Sequence, residues 1–241
     1  MLSKMSWQAV GQEVQKPKPT IGAILRSFLF RTSYWLFSVF FALTAIPLLF
    51  IPHRAPLMAW IRAYTRTMVS SMRRLGGIRV NISGQKNLPD GPCIIAAKHQ
   101  SWGDGFVMFS QVRDLAFVTG DHLMRYPLLG PILKKMGAIV VDNCGGAAAR
   151  GRLMAEELDK ARHNNRSILI YPEGHLSPVG TQNRYRKGVY HLYEKYGVPV
   201  VPVATDLGLR WPQQDKVLHP GPCSVEFLPA IEPGLDKGAF M

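Results

Sequence analysis

Hydrophobic and polar positions divide the chain into three textures. Residues 1–20 are mostly polar and contain Pro17 and Pro19, which predicts a loose N-terminal arm. Residues 32–52, TSYWLFSVFFALTAIPLLFIP, run 21 positions without a charge, about the length that crosses a bilayer as a helix. Tyr34, Trp35 and Phe37 gather near one end, as an interfacial anchor does. Pro47 and Pro52 bend or end such a helix. A helical hairpin dipping into one leaflet and continuing through residues 55–75 is therefore as strong an expectation as a single span, and a buried core helix is a third reading.

From Ile78 onward short apolar runs alternate with helical stretches. Segments 78–83, 93–97, 115–119, 138–141, 167–171, 198–204 and 224–227 are rich in Val and Ile and bounded by Gly, Pro or Asp, which predicts strands. Residues 147–163 and 188–196 carry apolar positions at helical spacing. This alternation predicts an α/β fold, a mostly parallel sheet flanked by helices, preceded by an N-terminal apolar membrane-attachment helix or helical hairpin. The expected division is a basic arm and attachment segment over 1–75 and an α/β domain over 76–241. The stretch 197–204, with Pro199 and Pro202, predicts an edge or bulged strand.

Charge sharpens the picture of the first segment. The chain of 241 residues holds 29 Lys/Arg against 16 Asp/Glu, a formal net charge of +13. Ten of the basic residues fall within 1–75, where Glu13 is the sole acid. Cations flanking an apolar segment suit an anionic lipid surface, at about 1 kcal/mol each close to the membrane. They lie on both sides of the segment, so they do not orient it. No helix-turn-helix, RNP-like or zinc-finger pattern aims the charge at nucleic acid. Cys93, Cys144 and Cys223 are odd in number and form no CxxC, so neither a disulfide framework nor a structural zinc site is indicated.

Candidate chemistry begins directly after the apolar run 93–97, at Lys98-His99-Gln100-Ser101-Trp102-Gly103-Asp104. A His at a strand end with an Asp five positions on can fold back across one turn. The carboxylate then accepts from Nδ1–H and supports the imidazolium formed when Nε2 takes a proton. A surface His beside a helix-capping Asp has the same spacing, so the pair alone leaves both readings open. Tyr171-Pro172-Glu173-Gly174 follows another apolar run and sets a carboxylate at a strand's C-terminal end, where α/β sheets gather ligands. Arg184-Tyr185-Arg186-Lys187-Gly188 opens the helix 188–196 with three cations, an arrangement suited to phosphate or to an ordinary solvated helix start. Ser101 sits in no G-x-S-x-G elbow.

Together these residues resemble the 1-acylglycerol-3-phosphate (lysophosphatidic acid) acyltransferase family of glycerolipid synthesis, over about residues 80–205. Its His, four residues, Asp block is matched by His99 and Asp104. A Gly-to-Asp strand looks like Gly137-Ala138-Ile139-Val140-Val141-Asp142. Its aromatic-Pro-Glu-Gly block is matched at Tyr171–Gly174, its trailing Phe-Lys-x-Gly is approximated by residues 185–188, and its Val-Pro-Val-x-Pro-Val block by residues 198–203.

The resemblance implies a membrane-bound O-acyltransferase in phospholipid biosynthesis. A fatty acyl group moves from acyl-CoA or acyl carrier protein to the free hydroxyl of a lysophospholipid, here 1-acylglycerol-3-phosphate, giving phosphatidic acid. His99 is the implied base and Asp104 its support; no metal or bound cofactor is implied. Two departures bear on the acceptor. Asn143 and Leu176 stand where the family has arginines that hold the acceptor's phosphate. Arg150, Arg184, Arg186 and Lys187, with Glu173 and Gly174, are the candidate substrate-binding residues in their place; otherwise the acceptor is another lyso-lipid, such as an amino-acid-containing one. A membrane-attached thioesterase and a lipid-binding protein are the readings outside this activity. The expected partners are the bilayer, the lysophospholipid and the acyl donor, with no nucleic acid, at the cytoplasmic face of a bacterial-type inner membrane.

Overall fold

The computed structural model describes residues 19–141, 147–181, 183–213 and 215–241, and only the backbone of Val141 and residues 147–154. Asp142, Asn143 and Cys144, and the side chain of Arg150, lie outside the described residues.

Helices α1 (Ile21–Leu49) and α2 (Ala55–Arg74) form an antiparallel hairpin. The α1 helix starts eleven residues before the charge-free window because it runs straight through Arg26 and Arg31. Thr20 caps it, its hydroxyl accepting from Ala23 N at 3.2 Å. Arg26 has a fold-level use for its charge: Nη1 donates to Leu75 O at 3.3 Å, satisfying a carbonyl at the end of α2. Pro47 sits in the last turn of α1, and the helix ends two residues later.

Ala23, Ser27, Phe30 and Ala45 turn inward, whereas Ile21, Leu25, Phe28, Leu36, Val39 and Leu43 form an exposed apolar stripe at helical spacing. By length and composition α1 can cross a membrane, yet only 11% of its apolar window is buried in the protein. The buried-core-helix reading is thus set aside: one face packs and the other is left apolar and open.

The sheet holds seven strands: β1 (Ile78–Ser83), β2 (Ile94–Ala97), β3 (Ala116–Gly120), β4 (Ile139–Val141), β5 (Ile168–Ile170), β6 (Val200–Thr205) and β7 (Gly221–Phe227), in the order β1-β7-β6-β2-β5-β3-β4. The five strands β6-β2-β5-β3-β4 are mutually parallel; β7 pairs antiparallel with β6 and carries β1 parallel to itself. Helices α3 (Asp104–Gln111) and α4 (Leu129–Met136) lie on the hairpin side, while α5 (Ala147–His163) and α6 (Gly188–Tyr196) cover the other face. A short α7 (Lys237–Phe240) closes the chain. Phe30 of α1 and Met72 of α2 share one core cluster with Ile95 of β2 and Val201 of β6, so the hairpin is packed into the body.

Of the two forms expected of the proline-bearing strand, the edge is not found but the bulged pairing is, since between Val203–Phe227 and Val200–Ile231 three steps of β6 face four of its partner. β6 is central, between β7 and β2, and is no edge. Its β2 side is bonded through Ile94 N to Pro199 O (2.9 Å) and Lys98 N to Val203 O (3.1 Å). Pro202 turns its missing donor to the other side. There the ladder is interrupted between the β7 pairing at Val203 and the bridge from Val200 to Ile231.

Candidate active site

β2 and β5 are parallel neighbours, so the chain leaving each opens on the same edge of the sheet. That edge is the carboxyl end, where such sheets gather chemistry. After β2 the chain turns so that Asp104 becomes the first residue of α3. Asp104 Oδ2 accepts from Gln100 N and Ser101 N, both at 2.8 Å, and lies 3.1 Å from His99 Nδ1. The carboxylate is 2% exposed and stands at the N-terminus of α3. An ionised carboxylate only accepts, so Nδ1 carries the hydrogen and Nε2 presents a lone pair. Ser101 is fully buried, and its hydroxyl accepts from Gly103 N at 3.0 Å, a turn-forming use with no nucleophilic role. Gly103 has no room for a side chain: a Cβ there would stand 2.9 Å from Leu207 Cδ2 and 3.0 Å from Trp211 Cε3.

After β5, Tyr171-Pro172-Glu173-Gly174 forms a β-turn closed by Gly174 N to Tyr171 O at 2.9 Å, with Pro at the second position and Gly at the fourth. Gly174 has φ +73, a conformation that favours glycine, and a Cβ there would push aside the Arg186 side chain that lies over the turn. The turn lays the Tyr171 ring on the His99 imidazole, with centroids 3.8 Å apart and planes 14° from parallel. Burial, and then the charge of Asp104, push the Tyr171 hydroxyl well above its ordinary pKa, so the ring beside His99 is neutral. The face of a neutral phenol ring attracts a cation such as an imidazolium.

Glu173 sits beneath this layer. It is 1% exposed; Oε1 pairs with Lys98 Nζ at 2.6 Å, and Oε2 accepts from Ser177 Oγ at 3.0 Å and Asn183 Nδ2 at 2.7 Å. Burial acts to raise its pKa, but the Lys98 ammonium and the two neutral donors outweigh it and hold the carboxyl below its usual range. Lys98 also donates to Thr181 O at 3.0 Å. These bonds tie the β2 and β5 loops together directly under His99.

Of the residues expected to hold substrate, Glu173 is therefore committed to protein partners, and Gly174 shapes the turn. Arg184, Arg186 and Lys187 are exposed. Arg186 is held over the turn, with Nε donating to Glu173 O at 3.1 Å, and Lys187 stands at the N-cap of α6. The three cations thus precede the helix instead of opening it. Leu176 is half-buried on the same loop. The sequence reading passed over Lys98, Ser177, Asn183 and the Tyr171 ring as working parts. Lys98 beside His99 and the aromatic at position 171 were the visible signals. Among the described residues no group of three His, Cys, Asp or Glu is placed to hold a metal ion.

A family model described as Acyltransferase matches residues 79–206, from the first strand to the end of β6, and encloses this whole arrangement. The chain belongs to that acyltransferase family. Within it, a 1-acyl-sn-glycerol-3-phosphate acyltransferase of Pseudomonas aeruginosa is 30% identical over 181 residues, covering 75% of this chain and 70% of that protein. A protein of the same name from Saccharomyces cerevisiae is 30% identical over 150 residues, 61% of this chain but 48% of its own length. The crystal structure of the 1-acyl-sn-glycerophosphate acyltransferase PlsC from Thermotoga maritima shares the fold, with a TM-score of 0.69 at 20% identity, over 88% of this chain and 86% of that one.

Proposed function

We propose that the protein is a membrane-bound O-acyltransferase that acylates the free hydroxyl of 1-acylglycerol-3-phosphate to give phosphatidic acid, with acyl-CoA or acyl carrier protein as donor. The observation that carries this reading is the partly buried His99, with Nδ1 held 3.1 Å from a buried Asp104 at the carboxyl edge of the sheet. A hydroxyl is a poor nucleophile until its proton leaves. His99 Nε2 removes that proton as the alkoxide attacks the thioester carbon, and the imidazolium formed is supported by Asp104 and the Tyr171 face. Collapse of the tetrahedral intermediate breaks the carbon–sulfur bond, and His99 returns its proton to the departing thiolate. No acyl-enzyme is formed.

The relatives' names and the exposed cations Arg184, Arg186 and Lys187 at the same edge support a phosphate-bearing acceptor. Leu176 favours a second reading, a lyso-lipid with another head group, since it removes an expected bidentate contact of a kind roughly twice as strong as a neutral hydrogen bond. The apolar stripe on α1 supports attachment of the hairpin to a membrane.

The test is product analysis with labelled acyl thioester and a panel of lysolipids. Phosphatidic acid is the expected product, and Lys187→Ala is expected to raise the acceptor KM far more than the thioester KM. Faster turnover of an acceptor lacking the phosphomonoester would overturn lysophosphatidate as the substrate. Release of free fatty acid alone would overturn acyl transfer.

A further inference from the structure

The edge of the sheet opposite His99 carries a second concave feature. Asp114, Gly137 and Arg166 each stand two residues before a parallel strand (β3, β4 and β5), whereas His99 follows the end of β2. With the hairpin turn at Pro52, His53 and Arg54, and the end of α5, they line a cavity of about 720 Å³. Six lining residues are cations, namely Arg54, Arg62, Arg113, Lys135, Lys160 and Arg166, against the two carboxylates of Asp114 and Glu157.

Part of this charge is committed. Arg54 grips Asp114 through Nε at 3.1 Å and Nη2 at 2.8 Å, Lys135 Nζ donates to Pro52 O at 3.1 Å, and Lys160 pairs with Glu157 at 2.6 Å. These cations also offset the negative poles of α3, α4 and α5, whose C-terminal ends converge here.

Arg166, 4% exposed, shares the Asp114 carboxylate with Arg54: its Nε lies 3.2 Å from Asp114 Oδ1 and donates to Asp114 O, while Nη1 donates to Gly137 O at 3.2 Å. Six cations against two carboxylates still leave positive charge in excess. Among the described residues, the buried Nη2 of Arg166 has no hydrogen-bond partner, and neither has the buried Nε of Arg62. Burial, followed by repulsion from Arg66 and Arg113, lowers the pKa of Arg62, so these three cations stand close together. Open guanidinium donors around a concave site match the several oxygens and negative charge of a phosphate group better than they match each other. Phe50, 83% exposed, stands at the adjoining hairpin turn.

We propose that this cavity is a second anion site, separate from the His99 site, that takes a phosphate group, carried either by a membrane lipid headgroup or by a soluble phosphate.

The test uses the full-length protein and reads its melting temperature. One arm titrates inorganic phosphate into protein in neutral detergent, at ionic strength held constant with chloride. The other compares nanodiscs of phosphatidylcholine with and without phosphatidylglycerol. A saturable rise of about 3 °C is expected at tenfold excess over Kd. A rise with inorganic phosphate marks a soluble ligand, and a rise with phosphatidylglycerol alone marks a lipid headgroup. The rise should vanish in Arg62→Gln/Arg113→Gln and persist in Lys187→Ala, whose cation lies at the other edge of the sheet. If circular dichroism finds the double variant misfolded, Arg113→Gln at an exposed position is read instead and should weaken the response at least severalfold. No saturable rise in either arm, or an equal rise in the folded variant, overturns the proposal.

Discussion

Glu173→Gln separates a carboxylate that holds the site together from one that binds substrate. In the wild type the buried carboxylate serves three donors, Lys98, Ser177 and Asn183. The amide keeps one acceptor oxygen and turns an NH2 group towards donors, and the Lys98 ammonium loses its counter-charge. Removing one partner of a buried ion pair costs about 3–5 kcal/mol. Lys98 is 24% exposed and keeps Thr181 O, so water relieves part of the cost and about 3 kcal/mol is expected. For a chain of this length that is a fall of roughly 6–12 °C in Tm. Lys98→Met combined with Glu173→Gln should recover much of the loss, since both charges then leave together.

The pH dependence has a fixed sign. Because Glu173 has a folded pKa below its ordinary value, its contribution is complete above the ordinary carboxylate range and is lost as pH falls through the depressed pKa. The Tm gap between wild type and Glu173→Gln should therefore close on acidification. Thermal melts of purified proteins, with acceptor KM measured alongside, decide the matter. An unchanged Tm together with a raised acceptor KM would refute this account and make Glu173 a substrate contact.

Three further outcomes follow from the geometry. Asp104→Asn keeps the imidazole near its place but loses the supporting charge, so kcat should fall in steady-state assays, by less than the roughly 10²–10⁴-fold expected on loss of the His99 base. Tyr171→Phe should stay within about twofold of wild type, because the stack survives; Tyr171→Ala should cost about 2–10-fold, the worth of an aromatic pair. Replacing Trp35 and Phe40, both more than half exposed on α1, with Glu should lower liposome partitioning by about 10²-fold or more, at roughly 1.5–3 kcal/mol for each buried apolar side chain. The far-ultraviolet spectrum should not change.

Much of this fold was legible along the chain, for identifiable reasons. Strands buried on both faces read as Val/Ile runs, and α5 and α6 begin and end where their apolar period does. The short α3 and α4 were missed because Gly105, Gly130 and Pro131 interrupt so few turns that no period accumulates. The start of α1 was misjudged because Arg26 and Arg31 break an apolar window without breaking a helix. At the site, His99 and Asp104 were visible because their contact is local. The Lys98–Glu173 pair and the Tyr171 stack bridge residues more than seventy positions apart, and only the parallel pairing of β2 with β5 brings them together.

The most direct measurement of the central claim is the initial rate of acyl transfer from labelled thioester to 1-acylglycerol-3-phosphate by purified His99→Ala beside wild type, with folding verified by matched thermal melts. Loss of the base predicts a rate at least about 10²–10⁴-fold lower. Turnover near the wild-type rate by a folded His99→Ala protein would contradict it.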